Sequence, residues 1–255
     1  MNFIWVWNAK TLKRYMIIGI AAFFTAGILF VESPLLPVFS PGDGEEPVAI
    51  HRVEAEHPEL ALTFDISWGE QQLGPILDVL EDKNIDHATF FVSAAWAERH
   101  PDLLESIVDA GYEIGSHGYR HEHYTGWEEE DIKKDIQQAH RILSELTDEP
   151  PQLLRPPNGS FDRRVLQVAE SMNYDVIHWS IHSHDWENPG VDAIVENATT
   201  NISNGDILLF HASDSAKQTP EALPIALDKL ESDGYSFVSI SQLMTGVEME
   251  AEEID

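Results

Sequence analysis

The residues best suited to chemistry in this sequence are one carboxylate and two histidines. Asp65 lies near the end of the apolar run Leu60–Ile66, and His117 and His121 follow about fifty residues later. A carboxylate can accept a proton from water, and imidazoles four residues apart can bind a divalent metal that activates water. The pattern therefore predicts a hydrolytic site that combines a base with a metal.

Three later segments carry further candidate groups. They are Arg155–Gly159 (RPPNG), Asp185-Trp186, and the run Leu209–His211. Each lies at the predicted C-terminal end of a strand, where barrels of parallel strands place their active sites. We therefore expect all of these side chains to lie in one cleft.

In this order, the five segments resemble the motifs of the polysaccharide deacetylase family, the NodB-homology domain. The resemblance extends from about Leu60 to Leu243. It implies a hydrolase that removes N-acetyl groups from cell-wall or spore-cortex glycan. More narrowly, an apolar N-terminal stretch followed by the sequence TFDISWG resembles the PdaB-type sporulation deacetylases.

The resemblance implies a catalytic role for four residues. Asp65 matches the catalytic base and Arg155 the arginine that orients it. His211 matches the general acid, and Asp185 the carboxylate that sets its protonation. Taken singly, a strand-end aspartate is as well explained by turn capping, and a lone strand-end histidine is usually structural.

The resemblance also implies a metal and a sugar site. His117 and His121 match the ligand pair for a divalent metal, zinc being the expected ion. Trp186 would stack on a sugar ring and Leu209 would line the acetyl pocket. Pro157 and Gly159, one rigid and one permissive, would shape the wall of the groove.

One position departs from the family pattern. Family members carry a second, metal-binding aspartate after the base, whereas this chain has Ile66. An isoleucine cannot bind a metal, so the site is expected to hold zinc weakly or not at all. Three hypotheses follow: a deacetylase with an atypical metal site, a catalytically impaired glycan-binding or structural factor in sporulation, or a hydrolase of another amide or ester.

Strands and helices alternate from about Ile50 onward, which predicts a largely parallel sheet. Periodicity alone does not separate a barrel from an open, doubly wound sheet. The family resemblance implies the former, a distorted (β/α)7 barrel, and the N-terminal residues predict a transmembrane helix before it.

The N-terminal part of the chain predicts a membrane anchor. Residues 15–31 form a charge-free apolar stretch that follows the basic residues Lys10, Lys13 and Arg14. This charge distribution predicts a cytoplasmic N-terminus, residues 1–14, with the rest of the chain outside. A cleaved signal peptide is the main alternative, although no clear small-x-small cleavage site follows. A buried helix of a soluble protein is a weaker one.

The remaining chain divides by composition into three parts. Residues 32–49 are rich in proline and predict a stalk, residues 50–246 predict the deacetylase domain, and residues 247–255 form an acidic tail that we expect to lack regular structure.

Charge and cysteine content restrict the partners. The chain has 15 basic and 45 acidic residues, and all the acidic ones lie at or after Glu32. Such a surface repels nucleic acid, so we expect no nucleic-acid partner. The chain contains no cysteine, so any metal ligand must be histidine, carboxylate or water.

Overall fold

A computed structural model of the protein describes residues 47–147, 149–245 and 249–252. The predicted membrane anchor at 15–31 and most of the predicted stalk lie outside these residues. Within them, every helix is too short or too polar to cross a bilayer.

The described residues contain one mixed but mostly parallel sheet of ten strands. In chain order the strands are β1 Ala49–Val53, β2 Glu59–Ile66, β3 Thr89–Val92, β4 Glu113–Ser116, β5 Leu153–Leu154, β6 Asp175–Ile177, β7 Ile181–His182, β8 Ile207–His211, β9 Ser236–Val238 and β10 Met249–Glu252. Their order across the sheet is β10-β1-β6-β5-β4-β3-β2-β8-β7, and β9 also pairs with β2. This curled arrangement is consistent with the expected distorted barrel.

Eight α-helices accompany the described strands. They are α1 Leu73–Asp82, α2 Ala94–Arg99, α3 Pro101–Asp109, α4 Glu129–Thr147, α5 Arg163–Glu170, α6 Val191–Thr199, α7 Thr219–Ser232 and α8 Ile240–Met244. Pro101 starts α3 almost directly after α2, because proline cannot donate a hydrogen bond to the preceding turn.

The alternation of side chains along β2 separates the apolar layer from the site. Leu62, Phe64 and Ile66 are fully buried in one cluster with apolar residues of α1, α2 and α7. Thr63 and Asp65 project to the opposite side, because successive residues of a strand face opposite surfaces. Burial of the first set therefore determines which side of the sheet carries the polar groups.

Parallel pairing aligns the strand ends that carry the candidate residues. β2 pairs in parallel with β3 on one side and β8 on the other, and β3 pairs with β4, which pairs with β5. The C-terminal ends of these strands consequently lie along one edge, as the sequence predicted.

Two regions differ from expectation. β1 was not predicted as a strand, although the predicted domain boundary falls within it. The expectation of no regular structure in the acidic tail is wrong for Met249–Glu252, which pairs antiparallel with β1. This pairing satisfies backbone groups at what would otherwise be an open sheet edge.

Candidate active site

The end of β2 supplies a buried carboxylate. Asp65 is 6% exposed, and its Oδ1 accepts a hydrogen bond of 2.8 Å from Arg155 Nη1. Its other oxygen, Oδ2, lies 3.7 Å from His117 Nε2. One oxygen is thus held by a charged partner, while the other faces the predicted metal ligands.

Arg155 is fully buried directly after β5, and its hydrogen bonds fix its position. Besides Asp65, its guanidinium donates to the Thr63 hydroxyl at 2.9 Å, to the His178 carbonyl at 2.9 Å and to the Ile177 carbonyl at 3.3 Å. These bonds connect β2 with the end of β6. The arginine is therefore part of the sheet's internal structure as well as the partner of Asp65.

The charges around Asp65 favour its ionised form. Burial alone would raise the pKa of this carboxyl group, but the positive charge of Arg155 and its hydrogen bond lower the pKa below its usual value. Asp65 is consequently a carboxylate, able to accept a proton, throughout the neutral pH range.

His117 presents one free nitrogen to the site. Its Nδ1 lies 2.8 Å from the Arg155 carbonyl oxygen, which can only accept, so Nδ1 carries the proton. Burial lowers the pKa of His117, which leaves Nε2 as an unprotonated nitrogen on the side of Asp65. A metal ligand requires this tautomer.

His121 lies beside it, with ring centroids 4.8 Å apart. Its backbone has φ 56°, in the left-handed region that few residues other than glycine adopt. Burial lowers the pKa of His121 to about 3, so this imidazole is neutral as well. The two histidines therefore suit two positions of a zinc-type site.

The described residues do not provide a third ligand of the expected kind. Among them, no three histidine or acidic side chains are grouped so that they could hold a metal ion. Ile66 is fully buried in the apolar cluster. If Asp65 bound a metal, it could not also serve as the base, so the residues present do not fit the complete metal site that the resemblance implies.

The second buried pair joins Asp185 to His211. Asp185 is fully buried, and its Oδ1 accepts from His211 Nδ1 at 2.7 Å. Its Oδ2 accepts from the His211 backbone N–H at 2.8 Å and from the Thr219 hydroxyl at 2.6 Å. These bonds fix the ring of His211 and leave Nε2 as its outward nitrogen.

Asp185 makes His211 a better proton carrier near neutrality. Burial would lower the pKa of His211, but the hydrogen bond and negative charge of Asp185 outweigh it and raise the pKa. Asp65 and His211 are register partners on the adjacent strands β2 and β8. A carboxylate and an imidazole whose pKa is raised consequently flank the same short stretch of the sheet edge.

The predicted sugar-binding residues occupy different environments. Leu209 is 1% exposed within β8, and Pro157 is buried. Gly159 has φ 63°, and a Cβ there would lie 2.5 Å from the Trp179 ring. Trp186, in contrast, is 48% exposed in the turn that follows Asp185. Of the four, Trp186 offers the largest accessible apolar surface.

Sequence reasoning gave no role to three residues that lie in or beside the site. Thr63 and Thr219 hold Arg155 and Asp185, and no motif marks Thr219 because it begins α7, far from the strand end it supports. His182 lies with its ring centroid 5.9 Å from that of His211. Its Nδ1 accepts the backbone N–H of His184, and burial lowers its pKa to about 4, so it is a neutral Nε2–H donor.

Comparison with known proteins identifies relatives of this architecture. Residues 52–177 match the family model described as Polysaccharide deacetylase. A peptidoglycan-N-acetylglucosamine deacetylase of Bacillus cereus is 33% identical over 188 residues, which is 72% of this chain and 87% of the relative.

Two solved structures are similar in fold and differ in activity. A CE4 family pseudoenzyme from Bacillus anthracis has a TM-score of 0.73 and 29% identity, covering 79% of this chain and 70% of the other. A mutant of that pseudoenzyme, described as having restored enzymatic activity, has a TM-score of 0.73 and 30% identity, covering 79% and 72%. The likeness thus includes active and inactive forms of one fold.

The Asp185–His211 pair gives a prediction that needs no turnover. Asp185→Asn removes the charge that raises the pKa of His211, so this histidine should lose its proton at lower pH than in the wild type. Titration of the His211 ring followed by NMR measures the change.

Glu187→Gln is the matched control, because it removes the partner of the half-exposed His184 and leaves Asp185 in place. It should not move the titration of His211. An unchanged His211 titration in Asp185→Asn would contradict the role assigned to Asp185.

Proposed function

Because the chain belongs to the polysaccharide deacetylase family of hydrolases that act on N-acetyl groups of polysaccharides, we propose that it deacetylates an N-acetylated glycan of the cell wall or spore cortex with an atypical metal site. The observation that carries this proposal is the presence of two ion pairs, Asp65–Arg155 and Asp185–His211, on neighbouring strands. Asp65, Arg155 and Asp185 are buried, whereas the His211 side chain is 20% exposed. A module that only binds sugar has no need of a base opposite a partly exposed acid.

Asp65 acts as the base in this proposal. Its Oδ2, which Arg155 does not hold, takes a proton from water as the water oxygen attacks the acetyl carbonyl carbon. Arg155 keeps the carboxylate ionised and oriented throughout, and the Thr63 hydroxyl helps to hold the arginine.

His211 acts as the acid. As the carbon–nitrogen bond breaks, the leaving nitrogen takes the proton from His211 Nε2, and the products are acetate and a free amino sugar. Asp185 stabilises the imidazolium form of His211 before this transfer. The raised pKa of His211 makes its protonated form more abundant near neutral pH.

The metal site has fewer ligands than the proposed reaction would use. His117 and His121 would hold a divalent ion, zinc by their chemistry, and such an ion would polarise the acetyl carbonyl when bound. With Ile66 in place of an anionic ligand, we expect weak binding of the ion and slow turnover.

A second function has its own support. Ile66 stands where the family pattern has a metal-binding aspartate, so one metal ligand is missing. One similar structure is that of a pseudoenzyme. A catalytically impaired factor that binds glycan and acts structurally in sporulation would keep the binding cleft but would hydrolyse the glycan slowly or not at all. The two candidates differ in whether the purified protein releases acetate.

We expect wild-type protein to release acetate slowly from N-acetylglucosamine oligomers or peptidoglycan, and chelator to suppress the release. His211→Gln should reduce the rate by about 10²–10⁴-fold, the usual contribution of a general acid. His87→Gln, which changes an exposed histidine near α8, is the control and should have the wild-type rate.

Absence of acetate release from both substrates, with and without added zinc, would reject hydrolysis and favour the glycan-binding alternative. Release at the wild-type rate by His211→Gln would instead refute the assignment of the acid.

We also propose that residues 15–31 anchor the chain in the membrane with the domain outside, in the envelope or forespore of a spore former. The apolar stretch and the basic residues before it support this orientation.

Protease added to intact cells or protoplasts should then digest the domain, as an immunoblot against it would detect. Complete protection, or a mature protein that begins near Val38, would contradict the anchored arrangement.

A further inference from the structure

Two tryptophans are unusually exposed beside the candidate active site. Trp68 is 52% exposed and follows the end of β2, and Trp186 is 48% exposed and follows Asp185. Of the large hydrophobic side chains described, only Leu146 and Ile225 are comparably exposed. Trp186 has an expected role in stacking on sugar, whereas Trp68 has none.

The loop that carries Trp68 is held rigidly against the segment after β8. The Ser67 N–H donates to Ser213 Oγ at 2.9 Å, and the Trp68 carbonyl accepts the Asp214 N–H at 3.3 Å. The next carbonyl, that of Gly69, accepts the Trp96 indole N–H at 2.7 Å. Hydrogen bonds therefore hold the backbone before, at and after Trp68.

Asp214 completes this support. Its Oδ1 accepts the backbone N–H groups of Gln71 and Gln72 at 2.8 and 3.2 Å. Gly69, at φ 85°, lets the chain pass so close that a Cβ there would lie 2.2 Å from Asp214 Cγ. The loop therefore fits tightly on Asp214 and leaves the Trp68 side chain outside.

The turn that carries Trp186 is bonded to the same segment. Asn188 Nδ2 donates to the carbonyl groups of Trp186 and Ser215 at 3.1 and 2.7 Å, and its Oδ1 accepts the Lys217 N–H at 3.0 Å. Residues 213–217, which closely follow His211, therefore hold both exposed tryptophans in place.

This arrangement suits a neutral ring better than a charged or flexible partner. An indole is a large, rigid apolar surface, and its exposed face suits stacking on the face of another ring. Fixed loops lose little conformational entropy when a ligand docks. The acidic surface, with 45 acidic against 15 basic residues, disfavours a polyanion. The apolar face of an uncharged pyranose meets these conditions.

We propose that Trp68 is the stacking residue of a second sugar subsite, next to the one that Trp186 serves, so that the protein binds at least two neighbouring rings of an N-acetylated glycan. The proposal rests on the proposed function, because it takes the same glycan as ligand. It adds a preference for oligomers over single sugars.

The test is equilibrium binding of N-acetylglucosamine oligomers, dimer to pentamer, to the full-length protein in mild detergent by calorimetry. Wild-type affinity should rise with oligomer length. Trp68→Ala should weaken pentamer binding about tenfold, equivalent to about 1.4 kcal/mol, and should weaken dimer binding less. Trp68→Phe should retain part of the affinity because it keeps an aromatic face.

Ile225→Ala is the matched control, since it removes a similarly exposed apolar side chain from α7. Equal affinities of Trp68→Ala and Ile225→Ala for every oligomer would overturn the subsite, as would a wild type that binds no oligomer.

Acetate release by the same samples separates this proposal from the proposed function. Binding that depends on Trp68 without any acetate release would support the subsite and reject hydrolysis. Acetate release with a KM that Trp68→Ala leaves unchanged would reject the subsite and support hydrolysis.

Discussion

The site depends first on the buried ion pair between Asp65 and Arg155. Arg155 is fully buried, and its bonds to Thr63 and to the Ile177 and His178 carbonyls satisfy a charge that would otherwise be costly inside the sheet. Removing one partner of such a pair costs about 3–5 kcal/mol, because the other charge stays buried. The same interaction lowers the pKa of Asp65 and leaves Oδ2 without a bond to Arg155, so one contact serves both the fold and the ionised state of this carboxylate.

The residue type at position 66 explains why the metal ligands are incomplete while the two ion pairs are complete. The odd positions of β2 carry Asp65 toward Arg155, and its even positions pack Phe64 and Ile66 into the apolar layer with the helices. The ion pairs Asp65–Arg155 and Asp185–His211 are complete, whereas the expected metal site has two neutral histidines and no third ligand among the described residues. The structure thus places the proposed base and acid on neighbouring strands beside an incomplete set of metal ligands, which accords with its likeness to deacetylases and to a pseudoenzyme.

Much of this arrangement was predictable because strands and strand ends leave strong signals. Apolar runs in the sequence predicted β2 and β8. The polar residues at the C-terminal ends of these strands could then be assigned to one edge of the sheet. Contacts between distant segments left no such signal. Thr219, at the start of a helix, donates a hydrogen bond to Asp185. Asp214 accepts hydrogen bonds from the Trp68 loop although about 140 residues of sequence separate them. Only folding of the sheet brings these segments together. Met249–Glu252 was expected to lack regular structure because acidic composition does not reveal an available sheet edge.

Zinc affinity of Ile66→Asp, measured by competition with a chromophoric chelator, tests the account most directly. Restoring a carboxylate should tighten binding by about 10–100-fold or more over the wild type, and Ile66→Asn should gain far less. Without zinc the variant should have a lower Tm, since the carboxylate enters an apolar cluster, and zinc should restore it. Tight, stoichiometric zinc in the wild type, with rapid deacetylation that chelator abolishes, would contradict the account.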